Sequence, residues 1–274
     1  MIFFEKLSAA SIQNHSFLCV GLDPVREKIP SVFNTSAQPI FDFNKAIIDA
    51  TWEHVCAYKP NSAFYEQYGL EGLDALKKTI EYIPKSIPII LDVKRSDIGS
   101  TAQAYAKAAF DAFGADAVTL NPLLGYDSVA PFLEYRDKGV FILALTSNPG
   151  AEDFQKRSLE GRPLYERVIE TVTQWDTNHQ CGFVAGATQQ ELSAIRTLAP
   201  NAWFLIPGVG SQGGDVDSVV SMAVVDPTHP RIVINASRSI LYASDTSSFF
   251  HASAREALIL KEKINFSLER KNAF

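Results

Sequence analysis

Eight short apolar runs recur along the chain: SFLCVGLDP, VCAYKPN, IPIILDVK, DAVTLNP, VFILALTSN, GFVAGAT, AWFLIPGVG and RIVINASRS. Each ends in a polar or Gly/Pro-rich turn, and most are apolar on both faces. That is the pattern of parallel strands covered by helices, not of sheets with one wet face. Between the runs lie segments of helical period. FDFNKAIIDATWEHV places apolar residues at Phe43, Ile47, Ala50 and Val55. PLYERVIETVTQW does so at Leu164, Val168, Ile169 and Val172, behind a Pro163 suited to a helix start. TQQELSAIRTLAP opens on Thr188 with Glu191 three residues on, a capping-box pattern.

Eight strand-then-helix units predict an α/β fold, a (β/α)8 or TIM barrel with a parallel eight-stranded barrel, as one catalytic domain over residues 1–274. A doubly wound open sheet is the alternative, because periodicity does not show closure. No GxGxxG follows the first run, which weakens a dinucleotide-binding fold.

The polar residues collect where a parallel barrel would gather them. Asp23, Lys59 with Asn61, Asp92 with Lys94, Asn121, Thr146 with Ser147, PGVGSQGG and NASRS all stand at the C-terminal ends of the runs. In a barrel those ends share the face on which active sites are built. In LDVKRSD, alternation along a strand turns Asp92 and Lys94 to one side. Asp97 lies in the following turn, and Lys59 ends the preceding strand. A salt-bridge network closing the barrel mouth is the structural reading of these four charges. Burying charge pairs is a poor route to stability, however, so a functional array is favoured. The glycines of PGVGSQGG let backbone amides approach an anion, and Arg238 in NASRS is a fork donor for phosphate.

Composition narrows the partners. The net charge of −6 and pI of about 5.4 argue against a nucleic-acid surface. No apolar run approaches the roughly 20 residues of a membrane span. The N-terminus, with Glu5 early and no basic segment, does not read as a signal peptide. Three cysteines, Cys19, Cys56 and Cys181, lie in or beside apolar runs, which suits reduced thiols in a cytoplasmic protein. The five histidines form no HxH or HxxxH pattern and there is no GxSxG, so neither a metal site nor a serine nucleophile is expected.

LDVKRSDIGST carries the D-x-K-x-x-D motif of the orotidine 5′-phosphate decarboxylase family. VGLDP, YKPNSAFYE, LTSNPG, PGVGSQGGD and SRSI resemble its other stretches in the same order, over residues 17–243. KPNSAFYE and TSNPG are similar to the bacterial type 2 subgroup. The resemblance implies a barrel, no metal or organic cofactor, and a homodimer with shared active sites that takes orotidine 5′-phosphate to UMP and CO2, the last step of pyrimidine biosynthesis. It implies Lys94 as proton donor to C6 and Asp92 beside the scissile carboxylate. Lys59 would hold the array and contact the ribose, and Asp23 would bind a ribose hydroxyl. Asp97, with Thr101, would reach the partner's site. Ser147 would read the pyrimidine, Gln212 bridge base and phosphate, and Arg238 grip the phosphate. Asn148 departs from the Ser-His form of some relatives. A hexulose-phosphate synthase-like, metal-assisted aldolase and a non-catalytic phosphate-ester binding barrel are the other readings.

Overall fold

A computed structural model describes residues 1–186, 189–208 and 215–272. Each of the eight apolar runs forms a strand: β1 Leu18–Leu22, β2 Ala57–Pro60, β3 Ile90–Arg95, β4 Ala117–Leu120, β5 Gly139–Leu145, β6 Cys181–Ala185, β7 Phe204–Pro207 and β8 Ile232–Ala236. All pairings among them are parallel, in the order β2-β1-β8-β7-β6-β5-β4-β3. The two ends of that sheet meet through isolated bridges, Tyr58 with Ile89 and Asn61 with Asp92. The sheet therefore curls into a nearly closed barrel instead of remaining open. A two-residue hairpin, Ser158–Leu159 against Arg162–Pro163, decorates the segment after β5.

Helix α1 Phe3–Gln13 precedes the barrel, and the helices that follow lie outside it: α2 Pro39–Thr51, α3 Gly69–Tyr82, α4 Gly99–Lys107, α5 Tyr126–Leu133, α6 Leu164–Trp175, α7 Gln189–Leu198, α8 Val216–Ala223 and α9 Phe249–Asn272. On α2 the buried face is Ile40, Phe43, Asn44, Ile47, Ile48 and Thr51, and the helix stops before Val55. Val55 is buried in the lead-in to β2 instead of extending the helical stripe. The Thr188 cap expected for α7 falls outside the described residues.

The barrel interior is apolar at its lower end. Cys19, Ala57, Ile90, Ala117, Phe141, Val184, Leu205 and Val233 form one cluster with Phe3 and Leu7 of α1. Helix α1 thus plugs the N-terminal end. Gly139 leaves the room this needs, since a Cβ there would lie 2.2 Å from the Phe3 ring. Residues two further along the strands face the same interior at the other end. There Lys59, Asp92, Thr119 and Asn235 replace the apolar side chains, and all four are buried. No helix among the described residues is long and apolar enough to cross a membrane. Cys19, Cys56 and Cys181 are free and buried.

Candidate active site

Asp92 is the hub. Lys59 Nζ donates to its Oδ2 at 2.7 Å, and Lys94 Nζ donates to its Oδ1 at 2.6 Å. Thr119 Oγ1 donates to Oδ1 at 2.7 Å and accepts the Lys94 backbone N–H at 3.0 Å. Three strands thus supply one compact array. Simple alternation along β3 does not produce it. Leu91 pairs with Val118 and Arg95 with Leu120, so Asp92, Val93 and Lys94 all stand opposite Thr119. The excess is absorbed in a bulge. Lys94 takes φ +47°, a left-handed conformation uncommon for a side-chain-bearing residue. The bulge lifts Lys94 into the mouth: its side chain is 46% exposed, while those of Lys59 and Asp92 are 7% exposed.

Burial pushes the Asp92 carboxyl up, but the Lys59 and Lys94 ammoniums override it and hold the group well below the carboxylate range. Burial alone would lower Lys59. Asp92 and Asp23 outweigh that and keep it raised, hence charged. Asp23 has the opposite balance: burial raises its pKa, against Lys59 and a hydrogen bond from Ser237.

A stability signature follows from these signs. A depressed folded pKa adds stability above the unfolded carboxyl value of about 3.9, and that stability is lost as the pH falls through the folded value. Asp92 therefore steepens the acid limb, whereas Asp23 acts in the opposite sense. Urea unfolding from pH 6 to pH 3 should show the wild type losing stability more steeply than Asp92→Asn. Parallel curves would contradict this assignment.

Asp23 lies just past β1 and accepts the Asn61 N–H at 3.3 Å, which joins it to the Lys59 end of β2. Ser147 follows β5 against Gly186, where a Cβ would come within 2.9 Å of the Ser147 nitrogen. The segment after β5 braces this strand end: Gln155 Oε1 accepts the Thr146 N–H at 2.7 Å. Lys156 ties the same segment to Glu191 of α7 at 2.5 Å. Arg238 is exposed at the start of a single helical turn after β8 and makes no ion pair among the described residues. Gln212 lies outside the described residues.

Asp97 and Thr101 do not join the array in their own chain. Asp97 accepts the Ile98 N–H at 2.8 Å and has no ion pair among the described residues. Thr101 is exposed on α4. Arg95 turns to Glu66 at 2.8 Å and stacks on Tyr105, away from the array. Thr119 and Ser237 were not among the sequence candidates. Thr119 stands two residues after Ala117 and two before Asn121, so inward parity within DAVTLNP would have singled it out.

A groove of about 1180 Å³ runs along the opposite, N-terminal end, beside Phe4, Ile12, Trp203 and His229, and holds none of these residues. Among the described residues, no three His, Cys, Asp or Glu side chains gather as a metal-binding group.

Comparison with known proteins places this geometry in a wider set. The profile described as "Orotidine 5'-phosphate decarboxylase / HUMPS family" matches residues 16–250. The orotidine 5′-phosphate decarboxylase of Herpetosiphon aurantiacus is 50% identical over 270 residues, covering 96% of this chain and 99% of that protein. That of Cellvibrio japonicus is 47% identical, covering 97% of this chain and 98% of its own. Among solved structures, the OMP decarboxylase of Leishmania donovani superposes with a TM-score of 0.86 at 36% identity, covering 98% of this chain and 99% of that one.

Proposed function

The chain belongs to the orotidine 5′-phosphate decarboxylase / HUMPS family, and from that footing we propose that it releases CO2 from C6 of orotidine 5′-phosphate to give UMP, using the array centred on Asp92. The observation that carries the proposal is the paired grip of Lys59 and Lys94 on one buried carboxylate at the C-terminal mouth of the barrel.

Loss of CO2 from C6 leaves an electron pair in the ring plane, where the pyrimidine π system cannot delocalise it. A fixed positive charge at that carbon is what the transition state requires. Lys94 supplies it and then transfers a proton from Nζ to C6, leaving a neutral amine that solvent reprotonates. The two lysines divide the work by burial. Lys59 stays beside Asp92 as its permanent counter-charge. Lys94, half exposed on its bulge, is free to swing from Oδ1 towards the ring. Asp92 next to the substrate carboxylate adds repulsion: like charges 4 Å apart differ from neutrality by about 4 kcal/mol at an effective dielectric of 20. Lys59 offsets part of that, so stabilisation of the carbanion by Lys94 is the larger effect.

Asp97 and Thr101 act, in this reading, on a second copy of the chain. Supporting this, exposed apolar residues stand at the same and the next strand end: Ile98 beside Asp97, and Leu123, Leu124 and Tyr126 after β4. Helix α4, which follows Asp97 and Ile98, packs on α5, which follows Leu123 and Leu124. Such a patch beside an unpaired carboxylate suits a two-fold interface that inserts Asp97 into the opposite mouth.

The test is the absorbance change as orotidine 5′-phosphate is consumed, with and without chelator. We expect turnover that chelation leaves unchanged. A folded protein with no turnover overturns the proposal, and magnesium-dependent cleavage of a sugar phosphate points to the aldolase reading. Arg238→Ala should raise KM for orotidine 5′-phosphate by about 10- to 100-fold, the worth of a charge-assisted hydrogen bond. It should leave kcat/KM for orotidine, which lacks the phosphate, within twofold of the wild type. Equal losses for both substrates would remove Arg238 from the phosphate site.

A further inference from the structure

One hydroxyl meets both halves of the Lys94–Asp92 pair. Thr119 is 1% exposed on β4, two residues beyond Ala117 of the inner apolar cluster, so it faces the barrel interior. The bulge sets Asp92, Val93 and Lys94 against it, between the Leu91–Val118 and Arg95–Leu120 pairs. Its Oγ1 lies 3.0 Å from the Lys94 backbone nitrogen and 2.7 Å from Asp92 Oδ1.

The direction of each bond follows from the groups involved. A backbone N–H only donates, so the hydroxyl oxygen accepts at Lys94. Two ammoniums keep Asp92 ionised, and a carboxylate only accepts, so the single hydroxyl proton goes to Oδ1. Both capacities of the hydroxyl are therefore spent on the array.

The sharing of partners at Asp92 gives those two bonds a purpose. Oδ2 takes the Lys59 ammonium at 2.7 Å, and Oδ1 takes the Lys94 ammonium at 2.6 Å beside the Thr119 hydroxyl. In the reaction proposed above, Lys94 must turn from Oδ1 towards C6. When it does, Oδ1 keeps the hydroxyl and Oδ2 keeps Lys59, so the carboxylate stays anchored at both oxygens. Without the hydroxyl, Lys94 is the one donor left to Oδ1 among the described residues. Its departure then strands a charged, buried oxygen, which holds the lysine back, and the carboxylate can rotate to follow it. The Lys94 amide, at φ +47°, loses its hydroxyl partner in the same change.

We propose that Thr119 is a positioning residue for the decarboxylation, whose hydroxyl fixes Asp92 and the backbone pivot of Lys94 so that the lysine side chain alone moves to the substrate. The inference rests on the decarboxylase reading above and acts through Asp92 and Lys94, not on the reacting atoms.

Thr119→Val and Thr119→Ser test it, assayed for orotidine 5′-phosphate turnover and by titration calorimetry with UMP. Valine keeps the shape and removes the hydroxyl. Its kcat should fall about 10- to 100-fold, the worth of a hydrogen bond to a charged group. KM and the UMP dissociation constant should stay within about threefold of the wild type, because the hydroxyl serves the chemical step and not the grip on the nucleotide. Serine keeps both bonds, and its kcat should return to within about fivefold of the wild type. A loosened β3–β4 edge would instead weaken UMP binding in step with kcat, and a packing role for the methyl would impair serine as much as valine. Either result overturns the inference, as does an unchanged kcat in Thr119→Val. If Thr119→Val does not fold, Thr119→Ala is compared with Thr119→Ser against the same outcomes. A wild type without turnover overturns the decarboxylase reading and this inference with it. Wild-type turnover that the loss of the hydroxyl leaves untouched overturns the inference alone.

Discussion

Lys94→Ala should fold as the wild type does and decarboxylate orotidine 5′-phosphate at least about 10⁴-fold more slowly, since the substitution removes both the proton donor and the cation facing the carbanion. The two effects separate cleanly because of where the residue sits. Its side chain is half exposed, and Asp92 keeps Lys59 and Thr119 as partners when it is gone. No uncompensated buried charge is left behind, so thermal melting and circular dichroism should match the wild type. Single-turnover rates are the measurement. A folded variant within tenfold of the wild-type rate would remove Lys94 from the chemistry.

Asp97→Ala should also be inactive alone, yet mixing it with Lys94→Ala should restore turnover. Random assortment of subunits places half the chains in mixed dimers. One of the two sites in each is intact, so recovery should approach about a quarter of wild-type activity. The expectation comes from a negative and a positive observation together. Among the described residues Asp97 hydrogen-bonds the neighbouring Ile98 amide and makes no ion pair, and Ile98 beside it is apolar and exposed. Heterodimers verified by mass that remain inactive would confine Asp97 to its own barrel and leave the shared site without support.

The strands were legible because burial on both faces writes an unbroken apolar run, and each of the eight runs folds as a strand. Their polar ends were equally legible, since parallel strands bring every C-terminus to one rim. The pairing of Lys59 with Asp92 needed only that β2 and β3 be neighbours. What escaped depends on register and on empty space. The bulge that carries Lys94 arises from a mismatch between β3 and β4, and nothing in LDVKR records it. Thr119 matters only because that bulge turns three residues onto it. Ser237 stands beside Asp23 in the volume that Gly21 leaves vacant, a relation between residues more than 200 positions apart in the chain. The end of α2 was misread because Val55 continues the apolar rhythm while serving the following strand.

The bulge at Lys94 also bears on how this barrel would respond to selection. A lysine at φ +47° costs on the order of 1 kcal/mol, a conformation that glycine adopts without penalty and asparagine with little. Screening random variants for heat resistance alone would enrich both residues at position 94 and recover sturdier, inert barrels. Any effort to harden this fold must score turnover in the same round, because a residue held in a strained backbone conformation is the one the chemistry is proposed to need.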